Sequence, residues 1–379
     1  TEIYTLSLHD ALPILEQIFI LPVAFSGATG SEISSGNNPS NQTSKNWKKQ
    51  LLQHTRPLAM KIRYLLGPYT LPKYQKELEK IIQSIKPDLV HALRIPYEGM
   101  LASMLPEGIP LLVSIWGNDF TLHARANPQM GKLTRKVMQR ANGVLADVHR
   151  DITLAHQWGL SDKKPTLVVP GGGGINIDEI RATASQSLEE FDLPVDSPVI
   201  INPRGIRAYA QTDTFFKAIP AVVEKYPSVI FLCPGMKGKP EAENWVSKLS
   251  LQKNVRLLDT IDQSKLWSLF HRSQISLSIT THDGTPNTLI EAMACNCFPI
   301  AGDIDSIREW IVPGVNGLLV DPHNPQGLTD AILLALSQTK LRDNARIYNQ
   351  ELIKSKAEIE IVEKLLSNYY SIFLTNRIS

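Results

Sequence analysis

Residues 275–302 read ISLSITTHDGTPNTLIEAMACNCFPIAG. The pattern predicts a strand ending near Thr280, a tight loop through His282-Asp283-Gly284-Thr285, a helix to about Asn296 and a further strand from Phe298. Pro286 suits the first helical position, because its fixed φ fits a helix start and its missing N–H is not needed there. Thr285 is then the expected N-cap. A strand, a glycine loop and a helix start make an anion site: backbone N–H groups point outward, and the helix dipole adds about half a positive charge. A diphosphate fits such a site without a metal. Asp283 and Glu291 frame it. Glu291 follows Asn287 by one helical turn, so both face one side near the helix start. A carboxylate at that depth can accept from ribose hydroxyls. The same two acids would equally complement the helix dipole and assist the cap, and spacing alone does not separate these roles.

Outward from this stretch, short apolar runs recur at 88–92, 110–116, 143–146, 166–169, 199–202, 229–232, 255–258, 275–279, 298–301 and 317–320. Most are continuous, which marks strands covered on both faces, as in a parallel sheet. Helical stretches separate them and complete right-handed βαβ units. One such stretch is 74–86, with Leu78, Ile81, Ile82 and Ile85 on one face. Pro220 should kink the helix over 212–226. The fold expectation is α/β, with two doubly wound domains. The glycine run in PGGGGINI, 170–177, lacks the Lys-Ser/Thr pair of a phosphate loop and reads as the link between them. The expected boundaries are a first domain over 15–172, a second over 173–350, and a helix over 351–379 that packs back on the first. Ligands of such sheets bind at the carboxyl ends of the strands. Two facing sheets then imply a cleft, with a donor on one side and an acceptor on the other.

The chain has 379 residues, 43% hydrophobic and 20% charged, which suits two globular domains with real cores. No run approaches the ~18 apolar residues of a membrane span. Cys233, Cys295 and Cys297 suggest neither a metal cluster nor a disulfide framework, and a reduced cytoplasmic compartment is the simplest reading. Residues 1–14, TEIYTLSLHDALPI, resemble a translated sequencing adapter and are set aside from the fold. No first strand with a glycine-rich turn is evident after them, so the first domain reads as truncated at its N-terminus. Residues 26–46 are rich in Gly, Ser and Asn and read as a mobile loop. Residues 15–166 carry 19 Lys and Arg against 11 Asp and Glu, whereas 167–379 carry 20 against 24. The basic excess suits an anionic membrane surface or acceptor, and equally a solvated helix surface. No basic-aromatic strip suggests a nucleic-acid partner.

Asp283, Gly284, Pro286, Glu291, Ala292, Met293 and Ala294 resemble the signature of glycosyltransferase family 4, whose pattern is an acid, seven residues, then Glu. VHALRIPYEG (90–99), SIWGNDF (114–120), VVPGGGGI (168–175), INPRGIR (201–207) and GVNGLLVDPHNPQGL (314–328) resemble further family segments in the expected order. The resemblance covers about residues 85–340. It implies a GT-B architecture of two Rossmann-like domains facing a cleft. It implies retaining transfer of a hexose-type sugar from a nucleotide-diphosphate sugar to an unknown glycan or lipid-linked acceptor, as in polysaccharide or glycolipid assembly, with no metal and no separate cofactor. Carried over, Asp283 lies by the transferred sugar and Glu291 binds the ribose. Arg204 neutralises the leaving diphosphate, and Arg207 stands in for the family's lysine. Gly284, Thr285, Pro286, Asn287 and Leu289 complete the donor site, while Gly117, Asn118, Asp119 and His91 fall on the acceptor or sugar side. The chain departs from the pattern in having Asp283 for the usual Glu, one methylene shorter, and Trp116 where a His often precedes the glycine. These departures and the short first domain keep a second expectation open: a GT-B protein that binds a nucleotide sugar without transferring it. The basic first domain would suit a place at the inner face of a membrane.

Overall fold

The computed structural model describes residues 21, 23–24, 46–207 and 209–374, with backbone only for 46–60 and 185. Residues 1–14 and 26–45 lie outside the described part. The long helix α1 (Asn46–Ile85) is followed by β1 (Val90–Ala92), β2 (Leu111–Ile115), α2 (Pro128–Arg140), β3 (Gly143–Ala146), α3 (His149–Gln157) and β4 (Thr166–Val168). Then come α4 (Ile177–Ala182), β5 (Val199–Ile201), α5 (Thr212–Lys225), β6 (Ile230–Cys233), α6 (Pro240–Lys248), β7 (Val255–Leu257), α7 (Gln263–Arg272), β8 (Ile275–Ser278), α8 (Asn287–Ala294), β9 (Phe298–Gly302) and β10 (Leu318–Val320). Helices α9 (Pro325–Ser337), α10 (Thr339–Lys356) and α11 (Ile359–Leu374) close the chain. Each described strand falls on one of the apolar runs. Helix α5 continues past Pro220.

The chain divides into two compact units. One comprises the residues up to Leu145, Thr153–Thr166 and those from Phe373; the other comprises Ala146–Ile152 and Leu167–Ile372. The division passes through β3 and β4, so the glycine run 171–174 belongs to the second unit.

In the first sheet the order is β1-β2-β3-β4, with β1 and β2 parallel from Val90↔Leu111 to Ala92↔Val113. Helix α1 is much longer than the expected 74–86, although Pro57, Pro68 and Pro72 lie inside it. A helical proline lacks the N–H that would bond the carbonyl four residues back. For Pro68 that carbonyl is Tyr64 O, which accepts instead from the Asn127 amide at 3.1 Å. Arg63 O accepts from the Tyr97 hydroxyl at 2.8 Å. The Tyr97 ring lies so close to Gly67 that a Cβ there would meet it at 2.7 Å. Partners distant in sequence thus sustain a helix whose local sequence argues for breaks.

The second sheet has the order β10-β9-β8-β5-β6-β7 and is parallel throughout. Side chains alternate across it. Ile200 packs on one face with Phe215, Phe231 and Leu277, while Val199 and Ile201 pack on the other with Phe270, Leu289 and Met293. Helices cover both faces, which is why these strands read as unbroken apolar runs. The chain builds outward from β5 to β7, then returns beside β5 to build the other way from β8 to β10. At such a reversal the loops after the two central strands leave to opposite faces and a crevice opens at their carboxyl ends. Residues 202–207 and 279–286 are those loops.

Two half-buried histidines give the first unit a pH dependence. His91 Nε2 lies 2.8 Å from Ser114 Oγ, and His123 Nδ1 lies 2.7 Å from the Tyr64 hydroxyl. Burial pushes both imidazoles down to about 4, against roughly 6.5 in an unfolded chain. Between these values the unfolded chain binds more protons. The stability involved is therefore complete above about pH 6.5 and is lost as the pH falls toward 4. In urea unfolding, the stability of the wild type relative to His91→Gln should fall between about pH 7 and about pH 4.5; a difference that stays flat across this range would contradict it.

Candidate functional site

Two loops meet at the strand reversal. After β5, Asn202 Oδ1 accepts from the Arg204 N–H at 3.2 Å, and Gly205 turns the chain with φ of 61°, a conformation open to glycine at little cost. Arg204 is thereby fixed at the sheet edge with its guanidinium over the next loop. Its Nη2 donates to Asp283 Oδ2 at 2.6 Å, and its Nη1 donates to Thr288 Oγ1 at 3.3 Å. The two side chains of the ion pair are only 12% and 17% exposed. Asp283 Oδ1 accepts from the Gly284 N–H at 3.1 Å. Burial pushes the Asp283 carboxyl above the usual range, and the Arg204 charge pulls against it. Arg207 stands exposed beside this pair, donating to Arg204 O and to the Tyr209 hydroxyl, each at 3.2 Å.

Helix α8 begins one residue later than the sequence suggests. Pro286 is itself the N-cap, with φ −68° and ψ 122°, and no side chain caps this end. Thr285, the expected cap, is turned into the interior. Its hydroxyl donates to Asp147 O at 2.9 Å and accepts from the Trp310 indole N–H at 2.8 Å. The Leu289 N–H bonds back to Pro286 O at 2.9 Å, whereas the Asn287 and Thr288 N–H groups have no acceptor within the helix, and without a capping side chain this positive end stays available to an anion. Asn287 is exposed there, and Gly172 packs so closely on it that a Cβ would lie 2.5 Å from Nδ2. The far end closes in a Schellman arrangement. Asn296 at φ 69° donates to Met293 O at 3.1 Å, and Cys297 donates to Ala292 O at 2.9 Å.

Glu291 is 4% exposed, and its Oε1 accepts from Gln263 Nε2 at 2.8 Å. Burial pushes this carboxyl up as well. Leu289 differs from its expected place among donor contacts: its side chain lies in the core under the second sheet.

Of the residues expected on the acceptor side, Asp119 is fully buried and bonds to its own surroundings. It accepts from Arg94 Nη2 at 2.8 Å, from the Ile95 N–H at 3.0 Å and from the Trp116 N–H at 3.2 Å. The Asn118 amide oxygen accepts from the same Arg94 nitrogen at 3.3 Å, and Gly117 is buried beside it. This carboxylate ties the ends of β1 and β2 together.

Sequence reasoning missed several residues that shape the loop around Asp283. Arg150 Nη1 and Ser306 Oγ both donate to Asp283 O, at 3.0 and 2.8 Å. Gln263 holds Glu291, and Thr288 holds Arg204. No periodicity marks them: Arg150 lies 133 positions from its partner and Gln263 lies 28 from Glu291.

Two family models match the chain. "Glycosyl transferases group 1" covers residues 185–352, and "Glycosyl transferase 4-like" covers residues 33–148. The chain is 26% identical over 272 residues to an uncharacterized glycosyltransferase of Methanocaldococcus jannaschii, covering 66% of this chain and 64% of that relative. It is 23% identical over 199 residues to a D-inositol 3-phosphate glycosyltransferase of Corynebacterium glutamicum, covering 50% of this chain and 47% of the relative. The chain thus spans between about half and two thirds of the length of these relatives. Among solved structures, a sucrose-phosphate synthase of Thermosynechococcus elongatus superimposes with a TM-score of 0.66 at 17% identity, over 81% of this chain and 79% of that one. Anabaena Alr3699/HepE in complex with UDP gives 0.66 at 16% identity, over 77% and 81%. With its two halves matched in order and its two parallel sheets shared with these structures, the chain has the GT-B fold and belongs to the group 1, family 4-like glycosyltransferases.

Proposed function

We propose that the crevice at the β5/β8 reversal holds a nucleotide-diphosphate sugar, and that the protein transfers the sugar to a glycan or lipid-linked acceptor with retention of configuration. The observation that carries this is the convergence of Arg204 and the uncapped N-terminus of α8 on one point. When the glycosidic bond to the diphosphate breaks, negative charge grows on the departing oxygens. A fixed guanidinium and a helix N-terminus stabilise that state more than the ground state. Asp283 faces the sugar side and Glu291 the ribose. Relatives and structural neighbours whose names specify inositol 3-phosphate glycosyl transfer or a UDP complex support a nucleotide-sugar donor.

By calorimetry with UDP-, GDP- and ADP-sugars, one of which should bind the wild type, Arg204→Ala is expected to weaken donor affinity roughly ten- to a hundredfold and Glu291→Gln about tenfold. Donor affinity unchanged in both variants would sink the site assignment. The 2.6 Å ion pair, closed on itself, also favours a second reading in which the donor binds and no transfer follows. Slow hydrolysis of the bound donor decides between them: release of a sugar with the donor's anomeric configuration, seen by NMR, supports retaining transfer, whereas an inverted product or no turnover rejects it.

The acceptor side carries a membrane-facing feature. Ile62, Leu65, Leu66 and Tyr69 are exposed along one face of α1, and Lys73, Lys76 and Lys80 continue that face. An apolar stripe running into lysines fits the surface of an anionic bilayer. Sedimentation with vesicles containing phosphatidylglycerol should carry the protein down, and Leu65→Glu with Tyr69→Glu should abolish this. Equal sedimentation with neutral vesicles would argue against the role of the lysines.

A further inference from the structure

We infer that Arg150 and Ser306 are positioning residues that lock the Asp283–Gly284 peptide in the orientation an anionic donor requires; the inference rests on the donor-site reading above. Arg150 lies in the first turn of α3, within the second unit. Its guanidinium is held at both edges. Nε and Nη2 donate to Asp151 Oδ1 at 2.9 and 2.7 Å, and Nη1 donates to Asp283 O at 3.0 Å. The Asp151 side chain is 1% exposed, so this anchor sits in the interior. The backbone of the same turn is also tied down, because the Glu309 carboxylate accepts from the His149 and Arg150 N–H groups at 2.8 and 2.9 Å. Ser306, three residues before Glu309, supplies the second donor to Asp283 O, at 2.8 Å. Two donors, one of them cationic, thus occupy both lone pairs of a single carbonyl.

The consequence follows from peptide geometry. A trans peptide is planar, with its C=O and N–H pointing opposite ways. Fixing the Asp283 carbonyl toward Arg150 and Ser306 turns the Gly284 N–H away from them. It then faces the Asp283 carboxylate at 3.1 Å, on the side where that carboxylate meets Arg204. This is the side proposed for the donor. A flipped peptide would present a carbonyl dipole there and remove a donor group. Glycine accepts the dihedrals of either orientation, so Gly284 itself does not prevent the flip. The two hydrogen bonds to the Asp283 carbonyl do, although neither residue need touch the donor.

The test is calorimetric titration of the full chain with UDP, GDP and ADP, using the wild type, Arg150→Ala, Ser306→Ala, the double variant and Arg204→Ala, each checked by thermal unfolding. With the nucleotide that binds, each single variant should weaken affinity by about tenfold or less, because one donor still holds the carbonyl. The double variant should weaken it by more than the product of the two single effects. Added guanidinium should restore affinity to Arg150→Ala and not to Ser306→Ala, which a merely structural loss would not produce. Should Arg150→Ala unfold, Ser306→Ala decides alone, since it leaves the Arg150–Asp151 pair intact. Wild-type affinity in folded Ser306→Ala and double variants, with binding lost in Arg204→Ala, overturns the inference and leaves the donor reading standing. Wild-type affinity in Arg204→Ala as well overturns the donor reading itself.

Discussion

The strand order of the second sheet reverses between β5 and β8, and the rest of the site depends on that reversal. Neighbouring strands whose outgoing loops turn to opposite faces leave their carboxyl ends uncovered. Arg204 leaves one strand and Asp283 leaves the other, so residues 79 positions apart meet at 2.6 Å. A sheet built in simple sequence order would send both loops to the same face and would cover the gap with a helix. The first sheet, ordered β1-β2-β3-β4, has no such reversal within its described strands.

Within the crevice the charges are arranged for exchange. Arg204 is mostly buried, and a buried cation without a partner is costly. Asp283 supplies the partner, at the expense of its own desolvation, which pushes its carboxyl up. The pair therefore stores a guanidinium at the site without leaving it unpaired. On the donor reading, an entering diphosphate would take over that guanidinium only if the carboxylate yields, and a carboxyl already raised by burial is easier to protonate or displace. The shorter side chain of Asp283 matters here. Two of its contacts, to Arg204 and to the Gly284 N–H, are made close to its own backbone.

Much of this was legible before the fold was known, and the failures share a cause. The strands of the second sheet were found because helices cover both of its faces, so they read as apolar runs. The loop after Thr280 was found by glycine and proline chemistry, although the helix starts one residue later, with Pro286 as its cap and not its first residue. Thr285 was misread because a threonine before a helix has two uses, and the indole of Trp310, 25 positions away, recruits its hydroxyl. Helix α1 was cut short because Pro68 and Pro72 are breakers locally, while Asn127 from afar supplies the bond that Pro68 leaves missing at Tyr64 O. Asp119 reads as a turn residue open to ligand, yet its oxygens serve three donors of the first unit. In each case a side chain distant in sequence decided the outcome, and no local pattern records such a partner.

Glu291 shows how a buried acid can remain useful. Its partner is the amide of Gln263, not a cation. An amide orients one carboxylate oxygen without neutralising the charge, and a carboxylate has lone pairs to spare on the other. A lysine or arginine in place of Gln263 would hold Glu291 more tightly and leave less of its charge for two neighbouring hydroxyls. Burial raises the carboxyl, and the same exclusion of water strengthens hydrogen bonds formed there. On the donor reading, the ribose would meet an acceptor that is already oriented. A neutral hydrogen-bond donor at position 263 suits that role, because it orients the carboxyl without an opposing charge.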